Sequence, residues 1–101
     1  MNTYVIRREK AWPSADDLGK TAERSKQVAK DEFPDDIAWI RSYVIAEEGG
    51  TLGTVCIYQA TSPEAVREHA KRVDMPADEI LEVADTVVVR PDPEGVAAPA
   101  A

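Results

Sequence analysis

The distribution of apolar residues along the chain predicts four extended segments. Residues 3–8, 38–46 and 54–60 are rich in β-branched and aromatic residues, and a last extended stretch runs from Ile80 to Val89. A glycine-rich loop at 47–53 joins the second and third of these segments as a hairpin. We therefore expect four strands, two of which are neighbours in the sequence.

Two helices are predicted between these strands. The first begins after the capping residue Ser14 and ends at Phe33-Pro34, because the residue before a proline avoids the α region. Its inner face carries mostly small side chains: Leu18, Ala22, Ser25 and Ala29. The second begins at Ser62-Pro63-Glu64 and stops at Met75-Pro76. Its inner face carries Val66, His69, Ala70 and Val73. The order β-α-β-β-α-β predicts a ferredoxin-like α+β sandwich, an antiparallel sheet with two helices on one face.

Both faces of the predicted sheet carry many apolar residues, whereas a sheet with one solvated face alternates apolar and polar positions. Pairing Val44 with Cys56 and Ser42 with Tyr58 places Cys56 and Tyr58 on one face. The opposite face then carries Trp39, Tyr43 and Ile57. Because two helices cover only one face, we expect a homodimer packed sheet to sheet, with a monomer of partly apolar surface as the alternative.

Composition limits the class of protein. The chain has 101 residues and a formal net charge of −7, which fits one domain at residues 1–90 and a flexible Pro/Ala-rich tail at 91–101. No apolar run is long enough to span a membrane and the first residues lack a signal-peptide core, so we expect a cytoplasmic protein without membrane contact. The acidic balance argues against a nucleic-acid partner. Two basic clusters are interpreted as solvated surface: Arg7, Arg8 and Lys10, and Arg67, Lys71 and Arg72.

Four segments carry a distinctive set of motifs. They are Trp39-Ile40-Arg41-Ser42-Tyr43-Val44, Cys56-Ile57-Tyr58-Gln59-Ala60, Arg67-Glu68-His69-Ala70, and Pro76-Ala77-Asp78-Glu79-Ile80 with Glu82-Val83. Together they resemble a family of small bacterial domains, long described as of unknown function, whose described representative is a nickel-binding protein. The resemblance runs from about Tyr4 to Val89. It implies a ferredoxin-like dimer, nickel bound at the dimer surface and a role in metal sequestration. The chain departs from the family in its longer hairpin at 49–53 and in its tail.

His69 and Cys56 are the candidate ligands for a divalent metal ion. His69 is the only imidazole, a group that suits nickel, zinc and copper, and the thiolate of Cys56, the only cysteine, is a softer donor. A closed site needs about four protein ligands, so carboxylates, water or a second subunit must contribute, and Glu68 is the nearest carboxylate in sequence. We therefore predict that His69, Cys56 and Glu68 bind a metal ion, which the resemblance indicates is nickel. The alternatives are a hydrogen-bonded core histidine, a buried apolar cysteine and a solvated acidic face.

A cofactor-free enzyme of the dimeric α+β barrel type, with an oxygenase or isomerase activity, is the alternative function. It would use His69 as acid or base, Tyr43 and Tyr58 as hydrogen-bond donors and Trp39 as an apolar wall. This alternative rests on analogy of fold alone. A non-catalytic interaction module, in which the paired sheets serve only to associate, is a third possibility.

Overall fold

The six elements follow one another in the order predicted from the sequence. The structure is a computed structural model that describes residues 1–91. Its elements are β1 (Asn2–Trp12), α1 (Ala15–Glu32), β2 (Ile37–Ala46), β3 (Leu52–Ala60), α2 (Pro63–Val73) and β4 (Glu79–Glu82). The strands form one antiparallel sheet in the order β2-β3-β1-β4, which confirms the ferredoxin-like α+β fold. The predicted tail lies outside the described residues beyond position 91.

Both helices begin where their capping serines predict, and α1 ends next to the predicted Phe33. The Ser14 side chain accepts a hydrogen bond from the backbone N–H of Asp17, and Ser62 does the same for Ala65. Helix α2 ends at Val73, two residues before the predicted Met75-Pro76, because Asp74 caps it in the left-handed conformation and returns its N–H to the last turn. The buried residues of α2 are those predicted from helical spacing: Val66, His69, Ala70 and Val73.

The helices cover the face of the sheet that carries alternate residues of β1 and β3. Tyr4 and Ile6 of β1 are buried there, as are Cys56, Tyr58 and Ala60 of β3. Ile37 at the start of β2 and Val66 of α2 complete this core. The prediction that Cys56 and Tyr58 share a face is therefore confirmed, and this face is the one turned toward the helices.

The β2–β3 hairpin has a different register from the predicted one. Ser42 pairs with Cys56 and Val44 with Thr54, a shift of two residues that leaves side chains on their predicted faces. The turn itself contains Gly49 and Gly50 with positive φ angles of 77° and 81°, a conformation that glycine adopts at little cost.

A β-bulge in β2 contradicts the predicted position of Trp39. Trp39 pairs with Tyr58 and Arg41 pairs with the next residue, Ile57, so that Ile40 is an extra residue without its own partner. The extra residue reverses the alternation, and Trp39 lies on the helix-covered face beside Tyr58, not on the face of Tyr43 and Ile57. The two ring centroids are 6.0 Å apart.

The last strand is shorter than predicted. Strand β4 spans Glu79–Glu82, and the predicted extension to Val89 is wrong. Because β4 runs antiparallel to β1, Glu82 pairs with Tyr4 and the N–H of Val83 donates to the carbonyl of Thr3. Strand β1 begins at Asn2, so further residues of β4 would have no partner strand. The valines at 87–89 are exposed.

The face of the sheet opposite the helices is partly apolar. Tyr43 and Leu81 are 46% and 52% exposed on this face, and Ile57 lies between their strands in the sheet. Charged residues interrupt the apolar surface, among them Arg7 and Glu79. Neither helix covers this face, and association through it stays a prediction. Among the described residues, no helix is long and apolar enough to cross a membrane.

Candidate functional site

A cavity of about 740 Å³ lies between α1 and the β2–β3 half of the sheet. Leu18, Gly19 and Ala22 of α1 form one wall, and the small side chains of this helix leave space that larger residues would fill. Trp39 and Val44 are part of the opposite wall. A volume of this size is within the usual range of small-molecule sites, so the small-residue face of α1 builds a pocket as well as a packing surface.

Arg8 is a buried charged residue in the lining of this cavity. Its position in β1 alternates with Tyr4 and Ile6, so its side chain points to the helix-covered face, and its exposed fraction is 0%. The interpretation of Arg8 as solvated surface is therefore wrong. The guanidinium carbon lies 5.7 Å from the centre of the Tyr58 ring, a cation–π arrangement.

The Arg8 guanidinium lacks a hydrogen-bond acceptor within the described part of the chain. None of its three nitrogens makes a hydrogen bond of standard length and angle. The charge of Arg8 acts to lower the pKa of Tyr58, against the larger effect of burial. Burying a charge without a partner is costly, which makes Arg8 the most unusual group of the cavity.

The other polar groups beside the cavity bond to one another. Trp39 Nε1 donates to Ser42 Oγ at 2.8 Å, and that hydroxyl donates to Cys56 Sγ at 3.0 Å. The Tyr58 hydroxyl lies 3.4 Å from Ser25 Oγ. Burial raises the pKa of Tyr58, while the charge of Arg8 and the bond with Ser25 oppose that change. Tyr58 is therefore a neutral hydrogen-bonding group at ordinary pH.

His69 lies beside the cavity wall but does not line the cavity. Its exposed fraction is 0%, and its ring packs against Phe33 and Tyr58 with centroid distances of 5.8 and 5.7 Å. Its Nε2 atom lies 3.1 Å from the carbonyl oxygen of Ser25. A carbonyl only accepts, so Nε2 carries the proton and Nδ1, which has no partner within residues 1–91, is the free lone pair. Burial lowers the pKa of His69, and the Ser25 hydrogen bond opposes this change.

The structure does not place the three predicted metal ligands in one group. Cys56 is buried and bonded to Ser42, His69 is buried and bonded to Ser25, and Glu68 is exposed on the outer side of α2. Within residues 1–91, no three His, Cys, Asp or Glu side chains converge in a way that could hold a metal ion. One chain therefore does not form a complete site from these residues, and their role as ligands stays a prediction.

The residues of the predicted enzyme alternative are divided between the two faces of the sheet. Tyr58 and Trp39 line the cavity, which fits the predicted apolar wall. Tyr43 lies on the opposite face, where it pairs with Val55. His69 and Tyr43 therefore cannot act on one substrate within a single chain.

Comparison with known proteins identifies the family. The family described as "Nickel responsive protein SCO4226-like" matches residues 4–83. The chain belongs to this family. It is also similar in fold to the crystal structure of SCO4226 from Streptomyces coelicolor A3(2), with 23% identity and a TM-score of 0.65, over 84% of this chain and 99% of that one. No curated protein matches the chain. The resemblance found in the four sequence motifs is confirmed, and the family description is nickel responsive.

The burial of Arg8 beside the cavity was not predicted from the sequence. The available signal was the alternation of β1, in which Tyr4, Ile6 and Arg8 occupy one face. Its cluster with Arg7 and Lys10 favoured a surface interpretation, although neighbouring residues of a strand point to opposite faces.

Proposed function

We propose that this protein binds nickel as cargo, in a homodimer, and keeps the ion from other ligands in the cell. The observation that carries the proposal is the family match over residues 4–83, since the family is described as nickel responsive. Sequestration without catalysis fits a domain whose cavity is lined by no histidine in its described residues.

The arrangement of donors favours a site completed by a second copy of the chain. No group of three candidate ligands converges within the described residues of one chain. A second copy would have to supply the missing ligands on the helix side of the sheet, where His69, Cys56 and Glu68 all lie. Glu68 is exposed on α2 and is free to take part, whereas His69 would have to leave the carbonyl of Ser25.

The partly apolar outer face of the sheet is the surface we propose for dimer formation. Tyr43 and Leu81 expose about half of their surface there, and a chain of this size gains stability by covering such a patch. Dimer formation through this face leaves His69, Cys56 and Glu68 on the other side of each sheet, so it is proposed independently of the nickel ligands.

Calorimetric titration of the metal-free protein with nickel tests this function. We expect heat of binding at micromolar nickel, and we expect magnesium, a hard cation that prefers oxygen ligands, to give none. The substitutions Glu68→Gln, His69→Gln and Cys56→Ser identify the ligands, and loss of a true ligand should weaken binding by at least about tenfold. Glu64→Gln is the matched control, because Glu64 is exposed one turn away on the same helix. Absence of nickel binding by the unaltered protein contradicts the proposal.

The cavity supports the cofactor-free enzyme only through Trp39 and Tyr58, because His69, its proposed acid or base, does not line the cavity. The acidic lining residue of the cavity, Glu23, forms an ion pair of 3.4 Å with Lys26, and the other polar groups of the cavity, apart from Arg8, bond to one another. A pocket of this kind is suited to holding a molecule and not to moving a proton. A purely associating module would leave the cavity without a role.

A further inference from the structure

Arg8 carries a charge that the protein buries and does not neutralise. Its side chain is fully enclosed, and no carboxylate in the described residues pairs with it. The face of the Tyr58 ring gives partial compensation. A guanidinium retains its proton under all ordinary conditions, so the charge can be balanced only by an anion. An anion bound in the cavity would supply the missing partner.

The lining of the cavity is positively charged on a negatively charged protein. Lys26 and Glu23 line the cavity together with Arg8, whereas the guanidinium of Arg41 bonds to the Tyr43 hydroxyl on the opposite face of the sheet. The whole chain has a net charge of −7. Glu23 and Lys26 pair with each other. The cavity thus attracts anions in a molecule that repels them elsewhere.

The remaining walls are apolar. Leu18, Ala22 and Ala29 face Trp39, Val44 and Leu52 across the cavity. An inorganic anion would leave these walls unfilled, while a molecule with an apolar body would cover them and gain about 25 cal/mol for each Å² of apolar surface removed from water.

We propose that this cavity binds a small amphipathic carboxylate, with the carboxylate on Arg8 and the apolar body between α1 and β2–β3. The planar guanidinium matches a carboxylate in shape and charge. One arginine balances one negative charge, which favours a carboxylate over a phosphate dianion. Of the three predicted nickel ligands, His69 and Glu68 do not line the cavity. Cys56 does line it, but its sulfur is already bonded to Ser42, and Arg8 is the group that we propose to hold the carboxylate.

Calorimetric titration with octanoate and with octanol tests the proposal. The full chain is first treated with a chelator, so that bound nickel does not affect the measured affinities. These two probes share an apolar body and differ in the charged group. We expect octanoate to bind about 10- to 100-fold more tightly than octanol, because an ionic hydrogen bond to Arg8 contributes that difference. In Arg8→Met the two probes should bind equally weakly.

Two further variants keep the test decisive. Arg67→Met is the matched control: it removes the same charge from an exposed position of α2, and octanoate binding should be unchanged. If Arg8→Met does not fold, Gly19→Leu replaces it, since a side chain at Gly19 meets no atom within 4 Å of its Cβ and extends into the space of the cavity. We expect Gly19→Leu to weaken octanoate binding by at least about tenfold.

Three results would overturn the proposal. Equal binding of octanoate and octanol by the unaltered protein would show that Arg8 does not hold the carboxylate. Absence of octanoate binding at millimolar concentration would show that the cavity does not take this class of ligand. Octanoate binding that survives both Arg8→Met and Gly19→Leu would place the ligand elsewhere.

Discussion

Nε2 of His69 donates a hydrogen bond to the carbonyl oxygen of Ser25 at 3.1 Å, and this bond joins α2 to α1. Both residues are buried, and the imidazole is packed between Phe33 and Tyr58. The histidine therefore has a structural role in the described chain, whatever part it takes in metal binding.

This relationship predicts a loss of stability in mild acid. Burial lowers the pKa of His69 from its usual 6.5, so the unfolded chain binds the proton more strongly than the folded chain. The stability that neutral His69 provides is complete above pH 6.5 and is lost as the pH falls toward the lowered value. Thermal unfolding between about pH 8 and about pH 5 should show a steeper fall in Tm for the unaltered protein than for His69→Gln. An equal fall in Tm for the unaltered protein and for His69→Gln over this pH range would contradict the prediction.

A second prediction concerns Glu47, whose carboxylate joins the hairpin to β1. It accepts hydrogen bonds from the backbone N–H of Lys10 at 2.7 Å and from Arg7 Nη2 at 3.0 Å. The bond from Lys10 is the main cause that holds the pKa of Glu47 below 4.5, with Arg7 adding to it against the effect of burial. The ionised form thus stabilises the fold above pH 4.5, and this contribution disappears as the pH falls through the lowered pKa.

Glu47→Gln should accordingly be less stable than the unaltered protein at neutral pH. The difference in the free energy of unfolding should shrink as the pH approaches about 3 in urea titrations. Glu48→Gln is the matched control, because Glu48 is exposed next to it in the same turn. A Glu48→Gln variant that behaves like Glu47→Gln would point to net charge as the cause.

Substitution of two glycines by alanine should change the stability of the protein in opposite directions. Gly19 lies in α1, and a Cβ added there would have no atom within 4 Å, so Gly19→Ala should stabilise the protein by about 0.5–1 kcal/mol through helix propensity. A Cβ at Gly53 meets the Glu47 carboxylate and the backbone carbonyl of Arg8. Because the backbone cannot move aside easily, Gly53→Ala should destabilise by about 1–3 kcal/mol. Urea unfolding of both variants measures these changes, and a stabilised Gly53→Ala would contradict the contact.

The proposed dimer predicts that a lysine substitution changes the oligomeric state at one of two equally exposed apolar residues and not at the other. Leu81 on the outer face is 52% exposed, and Ile40 at the cavity is 51% exposed. We expect sedimentation to give twice the chain mass of 11.1 kDa for the unaltered protein and a monomer for Leu81→Lys, because a buried unpaired lysine is costly. Ile40→Lys should remain a dimer. A monomeric unaltered protein would contradict the proposed interface.

Much of the fold could be predicted from the sequence because its signals are local. Ser14, Ser62 and the prolines near the helix ends act within one helical turn, and the buried face of α2 follows from helical spacing over 11 residues. The family resemblance was visible in the same way, since its motifs are contiguous.

The candidate site could be predicted only in part. The small-residue stripe of α1 and the shared face of Cys56 and Tyr58 were correct, and both belong to the cavity. The pairing register, the bulge at Ile40 and the end of β4 depend on a partner strand, and a single strand contains no information about its partner's length.

The sequence by itself determined the order of elements, the starts of both helices and the family of this protein, because local propensity and contiguous motifs decide them. Only the tertiary structure decided that Trp39 faces the helices, that β4 stops where β1 begins, and that Arg8 is enclosed without an acceptor among the described residues. The reason is that burial and pairing are properties of what surrounds a residue. An arginine in a basic run is identical in sequence whether it meets water or the wall of a cavity.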